Sequence, residues 1–430
     1  MSEWLVVVRA VHFAATVLAA GTVFFRVLVA EPAFRAVHAP PVIAIGMLRR
    51  RWSWTVWIAL GVLVLSAAAW LVLLTANIFG EPLLDVCAHG DFWTVLSNTR
   101  FGLVCCIRLA LAILITLALI SPVSTARSPW NIVISLLAIA LLVTPAWIGH
   151  AGATPGTAGD IHLVSDMLHL LAAGAWLGAL PPLAMLIAHA RRAHNRTWEK
   201  ITAAAVYRFS LIGMVSVATL LASGIVNTWN LVGSIENLIA TDYGRIVLLK
   251  IGLFVAMVGI ATVNRFYLTP RLASADAARQ LQYNSIAETC LGLAALLFVG
   301  ALGTMQPSAH AHSHAAYARV ADNAAFVHIH SEEGMADVTL TPGRVGTVRA
   351  TIRLWNEDLT ELSARSVALA LTAPTADSAP VTRNALQRAD GSWEVDGIPL
   401  RETGNWKVVI DATLTAGRRL KLDGPIVIEP

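Results

Sequence analysis

Eight runs of about 20 apolar residues occupy the first 305 positions of this 430-residue chain, at about 4–30, 52–76, 101–121, 130–149, 161–189, 206–231, 244–268 and 284–304. A run of that length is a transmembrane helix candidate, because the hydrocarbon core of a bilayer is about 30 Å thick and a helix rises about 1.5 Å per residue. The first run begins at Trp4, directly after Ser2-Glu3. It lacks a basic segment ahead of it and is long enough to span, so it reads as a helix rather than a cleaved leader.

Charge divides the chain in two. Only 13% of residues are charged, 56% are hydrophobic and mean hydropathy is +0.65, whereas soluble proteins carry about 25% charged residues. Residues 1–305 hold 19 Lys+Arg and 12 Asp+Glu, and residues 306–430 hold 12 and 15 in less than half the length. The first part is membrane and the second has an ordinary soluble composition. This balance excludes a disordered chain, a single soluble enzyme domain and a nucleic-acid module, so no nucleic-acid partner is expected.

Orientation follows from the positive-inside rule. Arg35, Arg49, Arg50 and Arg51 follow run 1; Arg127 follows run 3; Arg191, Arg192, Arg196 and Lys200 follow run 5; Arg265, Arg271 and Arg279 follow run 7. The alternate connections carry Glu81, Asp85, Asp91, Asp160, Glu236 and Asp242. The arginine-rich connections are therefore expected in the cytoplasm, with both termini outside. Run 4 contains Pro145, and a re-entrant segment there would put the termini on opposite sides.

Residues 320–430 read as β. Ala336–Leu340, Thr347–Leu354, Val367–Leu371, Trp393–Val395, Trp406–Ile410 and Ile426–Ile428 are rich in β-branched or aromatic residues, with turn signals such as Pro342-Gly343 and Asp390-Gly391 between them. About seven short strands in some 100 residues suggest an immunoglobulin-like sandwich. The expected organisation is an all-α helical bundle at 1–305, a His-containing linker at 306–319 and a small all-β domain at 320–430.

With that topology, ten of the 13 histidines face the outside or the outer leaflet, which points to metal collected there. His162, Asp166 and His169 fall within an arc of about 60° on one face of run 5. Ionisable groups inside a span are costly and normally face the bundle interior or a water-filled cavity. His162 and His169 are about 10 Å apart along the axis, so one ion cannot bridge both. Two readings stay open: a stepwise relay for a cation, or Asp166 fixing an imidazole tautomer. A hydrogen-bond network between helices is the plainer alternative. His12 and His150 are expected at the same depth and join the candidate metal set.

A second constellation is His310-x-His312-x-His314, then His328-x-His330. Residues i and i+2 of an extended chain point the same way about 7 Å apart, close enough for two imidazoles to hold one ion. Imidazole suits copper, zinc and nickel, and affinity favours copper; a solvated spacer is the alternative for the linker. Cys105-Cys106 offer soft ligands or plain packing, and a disulfide from Cys87 to one of them has no support in spacing. Lys250 and Glu288 lie within runs and either pair, line a path or snorkel. No phosphate-binding loop, dinucleotide fingerprint or nucleophile elbow is present, so neither an enzyme nor an ATP-driven pump is expected.

Arg208-Phe-Ser, Ser223-Gly224-Ile-Val-Asn227-Thr-Trp, Tyr243-Gly244-Arg245, Leu249-Lys250 and Asn264-Arg265 resemble the core signature of the copper resistance D (CopD) membrane proteins. His169 with Ala175-Trp176-Leu-Gly178 matches the same pattern. The tail, with Phe326-Val-His328-Ile-His330 and Pro342-Gly343-Arg344, resembles the YtkA-like β domain fused to some members. The resemblance implies copper handling in the bacterial inner membrane, usually uptake, with the C-terminal domain in the periplasm and a separate copper-binding partner of the CopC type. It does not say which residues bind copper. The leading expectation is an inner-membrane copper transport or tolerance protein that captures copper at the periplasmic face. The alternatives are a haem-ligating membrane redox protein and a factor that loads copper into periplasmic or respiratory enzymes.

Overall fold

The apolar runs form eight helices in a computed structural model, which describes residues 2–38, 40–80, 82–120, 129–149, 156–305, 307–308, 324–331, 334–356, 361–374, 380–415 and 417–429. They are α1 (Glu3–Arg35), α2 (Val42–Phe79), α3 (Arg100–Ile120), α4 (Trp130–Trp147), α5 (Gly159–Ala193), α6 (Arg196–Val232), α7 (Asp242–Arg271) and α8 (Ala275–Leu302). Several start well before their apolar run. Hydropathy marks only what sits in hydrocarbon, whereas helix-forming polar residues extend the helix past it. In α2 this places Arg49, Arg50 and Arg51 on the helix itself, where Arg49 grips the buried Glu31 carboxylate with two 2.7 Å hydrogen bonds. The start of α6 is fixed by Asn195, whose side-chain oxygen accepts from the Trp198 N–H at 3.0 Å, the usual N-cap device. Pro145 does not stop α4. The helix runs to Val143 and continues as a 3-10 turn through Thr144–Trp147.

Close packing in the bundle rests on small residues. A Cβ on Gly178 would lie 2.0 Å from the Val17 carbonyl oxygen, and one on Gly21 would lie 2.3 Å from the Gly178 carbonyl carbon. Here α1 and α5 meet backbone to backbone, as small residues allow in membranes. Helix α5 is also broken at this point: Leu177–Ala179 form a 3-10 turn, followed by Pro181 and Pro182.

Arg108 on α3 is 1% exposed and ties three other helices together. Its Nε donates to His12 Nε2 on α1 at 3.1 Å, Nη2 to Thr16 Oγ1 at 2.6 Å, and Nη1 to Leu141 O and Thr144 Oγ1 on α4 at 2.8 and 2.7 Å. His12 Nδ1 meets Leu63 O and Ser66 Oγ on α2 at 3.2 and 3.1 Å. Arg108→Leu strands these buried acceptors, and each unmet buried group costs about 1–3 kcal/mol. The substitution is expected to lower the thermal unfolding midpoint of the detergent-solubilised protein, whereas Arg100→Leu, at the exposed start of α3, should leave it nearly unchanged.

The described residues between 325 and 428 form nine strands in two antiparallel sheets. The first holds β1 (Ala325–Ser331), β2 (Gly334–Thr341), β3 (Gly346–Trp355), β6 (Leu386–Gln387) and β7 (Trp393–Leu400), in the order β1-β2-β3-β7-β6. The second holds β4 (Ala364–Thr372), β5 (Val381–Asn384), β8 (Gly404–Leu414) and β9 (Arg419–Ile428), in the order β5-β4-β8-β9. Alternate residues of β3, β4, β8 and β9 point inward, and both sheets contribute to one apolar core that includes Ile352, Leu369, Trp393, Ile410 and Leu422. Contacts divide the chain into a helical unit ending at Ala309 and a β unit beginning at His310, with residues 155–157 grouped with the latter.

Candidate metal site

The helical half contains one group of polar and charged side chains that spans three helices and lies toward the end opposite the arginine-rich connections. Asp166 and His169 come from the first half of α5, Ser223 and Asn227 from the second half of α6, and Lys250 from the first half of α7. Ser223 Oγ donates to Thr219 O at 2.6 Å and lies 3.0 Å from His169 Nδ1. A hydroxyl has a single proton. With that proton on Thr219 O, the Ser223 oxygen accepts from His169 Nδ1–H, and the imidazole keeps its lone pair on Nε2, the form that ligates metals. Gly224 on α6 faces the His169 ring, where a Cβ would sit in ordinary contact, 3.8 Å from His169 Cε1.

Asp166 bonds to neither histidine. Its Oδ1 accepts from Asn227 Nδ2 at 3.3 Å, and Asn227 Oδ1 is buried without a hydrogen-bond partner among the described residues. Lys250 lies near enough for its charge to act on both Asp166 and His169, and Tyr243 feels the Asp166 carboxylate. The arrangement holds a carboxylate, an imidazole lone pair and an unmet amide oxygen, with the Lys250 ammonium as internal counter-charge. Those are donors for a cation, and the Lys250 charge is what an arriving cation would displace. Among the described residues no three His, Cys, Asp or Glu side chains converge on one point, so a bound ion would draw on the amide oxygen or water as well.

The other sequence candidates sort differently. His162 is 3% exposed on the same helix, one turn before Asp166. His12 stands apart: Arg108 occupies its Nε2 lone pair, so its ring serves the network between α1, α2 and α3. Of the alternatives open for Lys250 and Glu288, the pair does not form among the described residues; Glu288 accepts from Asn264 at 2.6 Å. All four cysteines are free, Cys87 and Cys106 being exposed. His150, His310, His312 and His314 lie outside the described residues, as does the side chain of His330.

In the β unit, His328 Nδ1 lies 2.6 Å from Asp337 Oδ1 across the β1–β2 ladder, and Trp355 Nε1 on β3 donates to Asp337 Oδ2 at 2.8 Å. A carboxylate accepting from Nδ1–H leaves the lone pair on Nε2.

These features define a class: a multi-pass membrane protein with cation donors buried among three helices, followed by an all-β domain. A model of the copper resistance protein D-like N-terminal domain matches residues 1–160, and one of copper resistance protein D matches residues 203–302. The chain belongs to the copper resistance protein D family. Copper resistance protein D of Pseudomonas syringae pv. tomato is 29% identical over 259 residues, 58% of this chain and 82% of that protein. Inner membrane protein YebZ of Escherichia coli is 28% identical over 305 residues, 70% of this chain and 98% of that protein. Copper transport protein CutJ of Bacillus subtilis is 29% identical over 219 residues, 50% of this chain and 38% of that protein. The β domain lies outside both family matches.

Proposed function

We propose that this protein moves copper inward across the bacterial inner membrane, as a carrier and not as an enzyme. The cluster of Asp166, His169, Ser223, Asn227 and Lys250 carries the reading, because residues of the family pattern on α6 and α7 meet the ionisable residues of α5 there. The break in α5 supports it, since interrupted helices frame the binding sites of many transporters. Both termini are placed in the periplasm by the arginine bias of the alternate connections. Copper is then collected by the tail histidines, passed to His162, Asp166 and His169, and handed inward. A separate CopC-type periplasmic protein is the expected donor. Mixed oxygen and imidazole donors favour Cu(II) at the first station.

The capture step is tested on the tail. Ligating imidazoles must be neutral, so copper binding should release protons and weaken as pH falls below about 6.5, the ordinary histidine pKa. Replacing His310, His312 and His314 with Ala should lower the copper stoichiometry of the full-length protein measured by metal analysis. Unchanged stoichiometry would reduce the linker to a spacer. Copper accumulation in cells with and without the protein tests the function itself, and equal copper content with equal tolerance would reject it.

A further inference from the structure

A second ionisable station lies in the other half of the same helices. Glu288 on α8 is 1% exposed. Its Oε1 accepts from Asn264 Nδ2 at 2.6 Å, and Asn264 Oδ1 in turn accepts from Asn284 Nδ2 at 2.6 Å. Oε2 has no hydrogen-bond partner within 3.5 Å among the described residues, the Trp176 indole approaching it more loosely from α5. Glu288 lines a cavity of about 270 Å³ together with Trp176, Ser210, Met214, Asn264 and Arg265. Asn264 opens a π-helical turn, Asn264–Leu268, inside α7. Such turns are uncommon and recur at functional sites. Here the turn aims the Asn264 amide at the carboxyl, and Thr269 closes it by donating to Asn264 O at 2.7 Å.

Among the described residues no cation forms an ion pair with this carboxyl. Arg265 lines the same cavity but donates to Ser210 at 2.5 Å. Arg191 on α5 donates to Gln282 at 2.7 Å. On α1, Arg26 lies beside Glu31, Arg9 stacks on Trp70, and His12 is held by Arg108. Lys250 belongs with Asp166 and His169. An ionised carboxylate left unpaired in a membrane interior is costly and instead keeps its proton. One oxygen accepting from an amide and the other without a hydrogen bond fits a carboxyl that keeps its proton.

We propose that Glu288 is a proton-binding site which gives up its proton to the cavity when a copper ion reaches the inner half of the bundle. The inference rests on the copper-transport reading. The exchange balances: the O–H bond of the carboxyl breaks, the proton passes to cavity water, and the carboxylate faces the incoming cation, with the Met214 side chain on the same cavity wall. Trp176 lies two turns, about 10 Å, from His169 along α5, packs edge-on against Phe254 of α7, and lines the cavity.

Infrared difference spectroscopy on the full-length protein in lipid reads the carboxyl without copper. The wild type should show the carbonyl stretch of a protonated carboxylic acid, Glu288→Gln should lose that band, and Glu288→Asp should retain a shifted one. Adding copper should bleach the wild-type band. In proteoliposomes, uptake by Glu288→Gln should become insensitive to an imposed pH gradient. The same band in Glu288→Gln, a band indifferent to copper, or wild-type gradient dependence in Glu288→Gln would each overturn the proposal. Should the wild type bind copper but move none, the transport reading fails, and the copper-free band still decides whether Glu288 holds a proton.

Discussion

Asp166→Asn is expected to reach the membrane at wild-type level and to lose copper affinity and uptake by about 10–100-fold, the usual cost of a lost ligand or ligand-orienting group. Asparagine keeps the shape, and its side-chain oxygen can still accept from Asn227 Nδ2, which donates to Asp166 Oδ1 at 3.3 Å in the wild type. What disappears is the negative charge opposite Lys250. His169→Ala should lose function to a similar degree, since its Nε2 lone pair is the donor that Ser223 sets up. The double variant should be little worse than either single one, because groups acting on one ion are not additive. A purely structural network predicts the reverse pattern: less protein in the membrane and full activity in what remains. Uptake normalised to membrane protein separates the two. Lys250→Met supplies a sign test, since removing the competing ammonium should slow copper release and not its binding.

Gly178→Val is expected to abolish accumulation of folded protein. A valine there would force its Cβ against the Val17 carbonyl oxygen, which it would meet at 2.0 Å, and against the Gly21 Cα at 2.9 Å. Both obstacles are backbone, so α1 and α5 would have to separate along their contact. Overpacking a close-packed interior typically costs about 1–3 kcal/mol, and more where nothing can yield. Gly213→Ala on α6 is the matched control, because a Cβ there meets nothing within 4 Å. Fluorescence-detected size exclusion of the two variants in detergent should show a lost peak for the first and an unchanged one for the second.

The eight helices were legible because each buries a run long enough to cross a bilayer, and no other arrangement satisfies so many apolar residues with so few charges. Their ends were not, since the Arg49–Arg51 triplet and the polar Ala275–Asn284 segment are helical although hydropathy scores them as loop. The β domain was legible wherever strands are long and β-branched, as in Thr347–Leu354. Strand β5 and the two-residue β6 were not foreseen, because short edge strands carry no periodic signal, and β1 appeared only as an extended His-x-His.

At the metal site, Asp166 and His169 stood out as charges inside a span. Ser223, Asn227 and Lys250 were visible as family pattern without a role, because the contacts that give them one join residues 54 and 61 positions apart. The same blindness to long-range partners misplaced one residue. His12 reads as a ligand until Arg108, 96 positions on, is seen to occupy its lone pair. For Glu288 the sequence leaves pairing with Lys250, lining a path and snorkelling open, and the contact with Asn264 at the π turn decides against the pair.

The central claim is that copper crosses the membrane through this protein, with Asp166 and His169 as its first buried station. Copper entry into sealed proteoliposomes measures that claim most directly, using full-length wild-type protein, Asp166→Asn and protein-free vesicles at equal lipid. Time-dependent accumulation of lumenal copper by the wild type, reduced about 10–100-fold in Asp166→Asn, is the predicted result. Wild-type vesicles that gain copper no faster than protein-free ones, or Asp166→Asn vesicles that fill at the wild-type rate, would contradict it.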